Sequence, residues 1–305
     1  MIARPEFLKR IGVSEEAGEW AKWGWWLVSA SFLAVFLYRS SLSAIRDMLA
    51  NPFGAVEQGL VGQWSVLTLC LVWLWVKRRA IDSDIKAHLS RIYPLLGLLS
   101  IVASLLVPVP MQLFLGASGL FALFFGRGAR IPAILIAIYA LPIGFPPIME
   151  HLAEEPYVAL TVTSMFTALN ALGIAVMQQG QWLFFSDATG NPISVSITFA
   201  CAGPVTLGVF MSLFWLMLLD TPLPSKSAFI LLIVGIIGTT AQSLGRLVIL
   251  LFLGHHLGVG ALWSAHTVSG YILFSLWFAV FCAIYFWFAR GAKTRVMGAG
   301  SVTSV

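Results

Sequence analysis

Apolar runs long enough to cross a bilayer recur along this chain, and they constrain its fold more than any motif does. A spanning helix needs about 17–25 mainly apolar residues, because lipid satisfies no backbone polar group. Such runs are read at Trp23 to Tyr38, Gln63 to Val76, Ile92 to Val107, Met111 to Phe125, Ile131 to Ile148, Cys201 to Leu219, Ala228 to Leu253 and His266 to Ala289, the second and fourth being short. With 59% hydrophobic and only 10% charged residues, the chain lies outside the range of soluble domains. The expected fold class is an all-α polytopic membrane protein with about eight transmembrane helices.

Orientation follows from the basic residues. Lys77, Arg78, Arg79, Lys86 and Arg91 form one cluster, Arg127 and Arg130 a second, and Arg290, Lys293 and Arg295 a third, while Arg4, Lys9, Arg10 and Lys22 precede the first run. The positive-inside rule places all of these in the cytoplasm, with Arg39 and Arg46 as an outnumbered exception. The chain is therefore expected in the cytoplasmic (plasma) membrane with both termini cytoplasmic. Residues 1–20 are mixed and charged with no apolar core, so the first run is expected to serve as the insertion signal. The net charge of +5 sits at helix ends, where orientation requires it, and implies no nucleic-acid partner.

Between Arg130 and the C-terminal basic cluster the rule demands an even number of crossings, and four runs supply it. A further stretch, Val158 to Met177, would break parity. In it Val158, Val162, Met165, Leu169, Leu172 and Val176 recur at steps of three and four, while Thr163, Thr167 and Asn170 lie between them. This is read as an amphipathic helix on the outer surface, with a re-entrant or ninth crossing as the alternative. The next segment reads as a short β-hairpin. Trp182 to Ser186 is aromatic-rich, Asp187 to Pro192 is turn chemistry, and Ile193, Val195, Ile197 and Phe199 alternate with Ser194, Ser196 and Thr198. An open strand pair cannot lie in lipid, so the hairpin belongs to the outer aqueous or interfacial layer.

The hairpin leads into Cys201, expected at the start of the sixth span. Arg246 then falls in the outer half of the seventh span and His266 at the start of the eighth, all at one depth. Together they suit acyl transfer. A thiolate is a strong nucleophile, favoured near a helix N-terminus, a guanidinium or an imidazolium. Histidine can take the thiol proton and return it to a leaving amine. Arginine can hold a thiolate or an oxyanion. Burying an arginine in a membrane helix costs about 2.5–3.5 kcal/mol or more, which argues against an idle Arg246.

Each residue also has an ordinary reading. Cys201, like Cys70 and Cys282, can be a small buried hydrophobe; His266 can be an interfacial cap; Arg246 can snorkel to the headgroups. Their convergence carries the argument. Elsewhere His255 and His256 are neighbours that point to different sides of a helix, a poor metal pair. His151, Glu154 and Glu155 read as a solvated acidic loop. No metal or other cofactor is expected. Neither a His-Glu-x-x-His motif nor a Gly-x-Ser-x-Gly elbow appears, and three scattered cysteines imply no disulfide framework.

At these positions the chain resembles the exosortase and archaeosortase family of membrane cysteine transpeptidases. The resemblance rests on Cys201, Ala202 and Gly203 after a β-like segment, Arg246 in the next helix, and His266 followed by Gly270 and Phe274. It covers about residues 158–289. Alanine stands where the family usually has serine after the cysteine, and Gln242 or Ser243 stands for an asparagine often found before the arginine. The resemblance implies a membrane-embedded thiol protease or transpeptidase with Cys201 as nucleophile, assisted by Arg246 and His266. It also implies membrane-anchored substrate proteins, each ending in a short sorting motif, a transmembrane helix and a basic tail. Cleavage would occur at the outer face, with passage of the acyl group to an acceptor such as a lipid.

The expected organisation is an N-terminal transmembrane region of four helices over 1–130, a catalytic core over 131–290 and a flexible cytoplasmic tail over 291–305. The competing readings are a small-molecule transporter, for which no second half with matching broken helices is seen, and a non-catalytic membrane assembly factor.

Overall fold

The computed structural model describes residues 60–87, 92–106, single positions and pairs between 115 and 122, and 130–300. The run expected at Trp23 to Tyr38 lies outside the described residues, as does most of Met111 to Phe125. The described elements are helices α1 (Leu60–Ala87), α2 (Ile92–Ser104) and α3 (Arg130–Ala171), then strands β1 (Met177–Gln179), β2 (Trp182–Ser186) and β3 (Pro192–Ser196). A 3-10 turn (Ala200–Ala202) leads into helices α4 (Pro204–Asp220), α5 (Ser225–Leu257) and α6 (Val259–Gly300). The chain divides into two compact units, one of residues 1–46 and 76–136, the other of 47–75 and 137–305. Within the first, Ser100 of α2 donates its hydroxyl to the Leu115 carbonyl at 2.8 Å. The second unit holds every residue singled out for chemistry.

α5 and residues 268–291 of α6 are each long and apolar enough to cross a membrane. Only 22% of the apolar stretch of α5 and 17% of that of α6 is buried, so neither is the core helix of a soluble protein. Phe229, Ile230 and Ile237 on α5 and Ile272, Leu276 and Trp287 on α6 face outward, as lipid-facing positions do. α4 and parts of α1 and α2 form shorter apolar helices. α5 and α6 run antiparallel in contact: Trp277 donates its indole N–H to Thr239 at 3.0 Å, Gly270 lies against Arg246, and Leu262 against Gly254.

α3 merges two stretches read separately in the sequence, the apolar run from Ile131 and the amphipathic segment from Val158. It bends at Ala153, whose φ of −149° and ψ of 20° are not helical. Pro156 explains the bend, since proline offers no N–H to the residue one turn back and crowds its carbonyl. His151, Glu154 and Glu155, expected in a loop, are exposed on this bent helix. Beyond the bend Val158, Val162, Met165 and Leu169 are buried as the periodicity implies, but Leu172 is exposed and the helix stops at Ala171.

The sheet has three strands where two were expected. β2 pairs antiparallel with β3, Phe184 opposite Ser194, and β1 pairs antiparallel with the other edge of β2, Gln178 opposite Leu183. β1 is Met-Gln-Gln and fully exposed, so no apolar alternation announces it. The turn between β2 and β3 is built on Asp187. Its Oδ1 accepts the backbone N–H of Thr189 at 2.9 Å and of Asn191 at 2.8 Å, and its Oδ2 accepts the Asn191 amide at 2.9 Å. Side-chain donors from Thr189 and Asn191, then their backbone N–H groups, hold this carboxyl down at about 2.

Among the described residues of the second unit, two apolar cores bear on the site. One joins Val162, Met165 and Leu169 of α3 to Leu183, Phe185 and Ile193 of the sheet and to Leu247, Leu250 and Leu251 of α5. The other joins Phe210 and Phe214 of α4, Leu231 of α5, and Phe281 and Tyr285 of α6. α6 continues through residues 291–300, a stretch expected as tail.

Candidate active site

Cys201 does not begin a helix. It occupies the 3-10 turn before α4, where its N–H and that of Ala202 both reach the Thr198 carbonyl, at 3.1 and 3.3 Å. Gly203 follows at φ 98° and Pro204 then opens α4. Only glycine adopts that φ without strain, and proline suits a first helical position because the N–H it lacks would have no partner there. The Cys-Ala-Gly-Pro sequence thus encodes a tight corner that presents Cys201 ahead of the helix. A β-carbon on Gly203 would also lie 2.5 Å from the Ser243 hydroxyl oxygen, so α5 seats directly against the corner.

Two side chains grip the corner's carbonyls. Arg246 of α5 donates from Nη2 to the Cys201 carbonyl at 3.0 Å. Tyr157 of α3 donates its hydroxyl to the Ala202 carbonyl at 3.1 Å, its ring set edge-on to Phe199 at 5.8 Å between centroids. A third contact reaches the sulfur itself, the Thr198 hydroxyl lying 3.3 Å from Cys201 Sγ. The Arg246 guanidinium also interacts electrostatically with the Cys201 side chain and with Tyr271.

α6 completes the surroundings of the guanidinium. A β-carbon on Gly270 would lie 2.9 Å from Arg246 Nη1, so glycine is what lets the charged group fit between the helices. His266 is one helical turn before Gly270, half-buried, with its ring edge-on to Trp263 at 5.6 Å. It is not the start of its helix, since α6 begins at Val259. The structure therefore joins Cys201 and Arg246 directly and sets His266 one turn from the residue against which the guanidinium rests.

Three buried atoms nearby on α5 and α6 have no hydrogen-bond partner among the described residues: Arg246 Nε, Gln242 Oε1 and Ser269 Oγ. Buried polar atoms are normally paired, so a donor, an acceptor and a hydroxyl are available here to another molecule. His255 has a different task. A carbonyl can only accept, so His255 donates from Nδ1 to Ser186 at 2.6 Å, and its own carbonyl accepts Ala188 N–H at 2.7 Å. These bonds fasten the β2–β3 turn to the C-terminal end of α5.

Sequence reasoning missed Tyr157 and Thr198. Thr198 had a local signal, a hydroxyl residue three positions before the cysteine, which is hydrogen-bonding distance in a tight turn. Tyr157 had none, because it lies on another element.

The transmembrane exosortase family model matches residues 57–283. The chain belongs to that family, one of membrane transpeptidases of the sorting type. The match reaches about a hundred residues further toward the N-terminus than the resemblance read from residues 158–289. No curated protein and no solved structure matches the chain.

Proposed function

We propose that this protein is a cysteine transpeptidase that cuts the C-terminal sorting signals of exported membrane-anchored proteins at the outer face of the cytoplasmic membrane and passes the acyl group to an acceptor, a lipid being one. The observation that carries the reading is the 3.0 Å bond from Arg246 to the carbonyl of Cys201, on a corner built to present the thiol. An arginine inside a membrane helix is costly unless it is used, and here it meets the one cysteine placed at a strand-to-helix junction.

In this mechanism His266 takes the thiol proton and Cys201 Sγ attacks the scissile carbonyl. The S–C bond forms, and the oxyanion is met by the unpaired Nε–H of Arg246. The C–N bond then breaks and the amine leaves with the proton from His266. An acceptor nucleophile takes the acyl group from the thioester and frees the thiol. A substrate helix entering sideways keeps its basic tail cytoplasmic while its motif reaches the site. The outward placement is supported by the basic clusters and by the sheet's attachment to the C-terminal end of α5, the end that an outward-running seventh span places outside.

The test is mass spectrometry of candidate signal-bearing proteins co-expressed with wild type or with Cys201→Ala. Processing by wild type alone, with a fragment trapped as a thioester on Cys201, is the expected outcome. Equal processing by both removes the cysteine mechanism.

A further inference from the structure

We infer that Thr198 is a further catalytic residue, whose hydroxyl hydrogen-bonds the sulfur of Cys201 and stabilises it as a thiolate. The inference rests on the reading of Cys201 as nucleophile. Thr198 Oγ1 stands 3.3 Å from Sγ as donor. The same residue's carbonyl accepts the N–H of Cys201 at 3.1 Å and of Ala202 at 3.3 Å, so donor and sulfur belong to one closed turn. Their approach is set by backbone geometry and not by the chance meeting of two mobile side chains.

Alternating burial, continued past the end of β3, explains why this hydroxyl faces outward for the task. Ile197 and Phe199 are 2% and 7% exposed and anchor in the core, which turns Thr198 between them to the open face. Its side chain fills no core space, so packing does not account for it. Being β-branched, threonine also holds χ1 more tightly than serine.

The chemistry is a change in hydrogen-bond strength with no proton lost by Thr198. A hydroxyl donating to an ionised acceptor makes a bond about twice as strong as one between neutral groups. The bond therefore favours the thiolate over the thiol and aims the sulfur lone pairs. When Sγ attacks, its charge moves to the carbonyl oxygen and the Thr198 bond weakens. The thiol proton has already gone to the imidazole, and Thr198 keeps its own.

The test compares the full-length protein in detergent with Thr198→Val, which keeps the shape and removes the donor, and with Thr198→Ser, which keeps the donor. The Cys201 fraction alkylated by iodoacetamide at neutral pH is followed by peptide mass spectrometry, a readout that needs no substrate. The bond to thiolate exceeds the bond to thiol by half its strength, and the freed thiolate is somewhat more nucleophilic, so alkylation of Thr198→Val should be about threefold slower, with Thr198→Ser restoring most of the rate. Equal rates in all three overturn the inference, and so does equal slowing in the two variants, which would mean a packing role. Cys70 and Cys282 report unfolding in the same digest; if Thr198→Val exposes them, Thr198→Ala carries the comparison. Processing assays separate the two levels. Turnover lowered by Thr198→Val at unchanged KM supports the assignment, and unchanged turnover beside an inactive Cys201→Ala removes Thr198 alone. A fully active Cys201→Ala removes the underlying reading.

Discussion

The aromatic core of α4, α5 and α6 and the core beneath the sheet are held in different ways. The core of α4, α5 and α6 is aromatic: Phe210 meets Phe281 edge-on at 4.9 Å, and Phe214 meets Tyr285 at 6.2 Å. Its polar contacts include the Trp277 indole on Thr239 at 3.0 Å and the Tyr285 hydroxyl on the Thr221 carbonyl at 2.6 Å. The core beneath the sheet is mainly aliphatic, and beside it side chains from two helices and from the link after β3 bond the corner at Cys201. Ring packing tolerates small shifts because dispersion is spread over many weak contacts. Hydrogen bonds fix direction and distance. The difference teaches that the aromatic core sets how firmly the helices hold together, whereas the corner sets where the thiol sits. Stability and activity should therefore be separable by residue.

The largest effect expected from breaking that division is at Phe210. Phe210→Ala removes a fully buried ring that touches both Phe214 and Phe281, and large-to-small changes of this kind cost about 3–5 kcal/mol. Thermal unfolding in detergent should show the loss, while turnover per folded molecule stays near wild type; a collapse of turnover with the melting point unchanged would reverse the comparison. Gly270→Ala should act the opposite way. Its methyl meets Arg246 Nη1 at 2.9 Å, and misplacing a positioned group by about 1 Å can cost about a hundredfold in rate. Turnover should fall on that order with little change in melting point.

Tyr157→Phe is the sharper, smaller probe. It keeps the ring against Phe199 and removes one hydrogen bond to the Ala202 carbonyl, worth about 1 kcal/mol. Turnover should drop by about fivefold with KM unchanged, and a change in KM alone would assign Tyr157 to substrate binding. The smallest effect concerns the exposed turn. A carboxyl held at about 2 contributes stability that is fully present above its ordinary value of 3.8 and is lost as pH falls through about 2. Amide signals of Thr189 and Asn191 should thus stay constant from neutral pH to about 4 and move only near 2; a midpoint near 3.8 would show that the turn does not hold the ionised form.

What the sequence revealed and concealed follows the same physical line. The long apolar runs gave α5 and α6, though α6 begins at Val259 and not at His266, because Gly260, Ala261 and Ser264 carry too little apolar signal to extend a span. The pairing of Cys201 with Arg246 was legible from residue type and order. Its geometry was not: beyond the expected role of holding a thiolate or an oxyanion, Arg246 grips the cysteine's own carbonyl through Nη2. The bend at Ala153 was not read from the sequence, where proline in a membrane helix often passes without a break. Strand β1 was concealed because Met-Gln-Gln is exposed throughout and shows no apolar alternation, and Tyr157 because its partner, Ala202, lies on an element distant in sequence.

The grip on adjacent carbonyls has a consequence for genetics. Arg246 and Tyr157 hold consecutive peptide units, and Ser243 braces the glycine that follows them. Positions 157, 203, 243 and 246 therefore form one epistatic unit: once any member has let the corner move, losing a second costs less than it would alone. A deep mutational scan scored one position at a time would count that shared loss repeatedly. At 246 it would also fold the displaced nucleophile into the score for the missing charge.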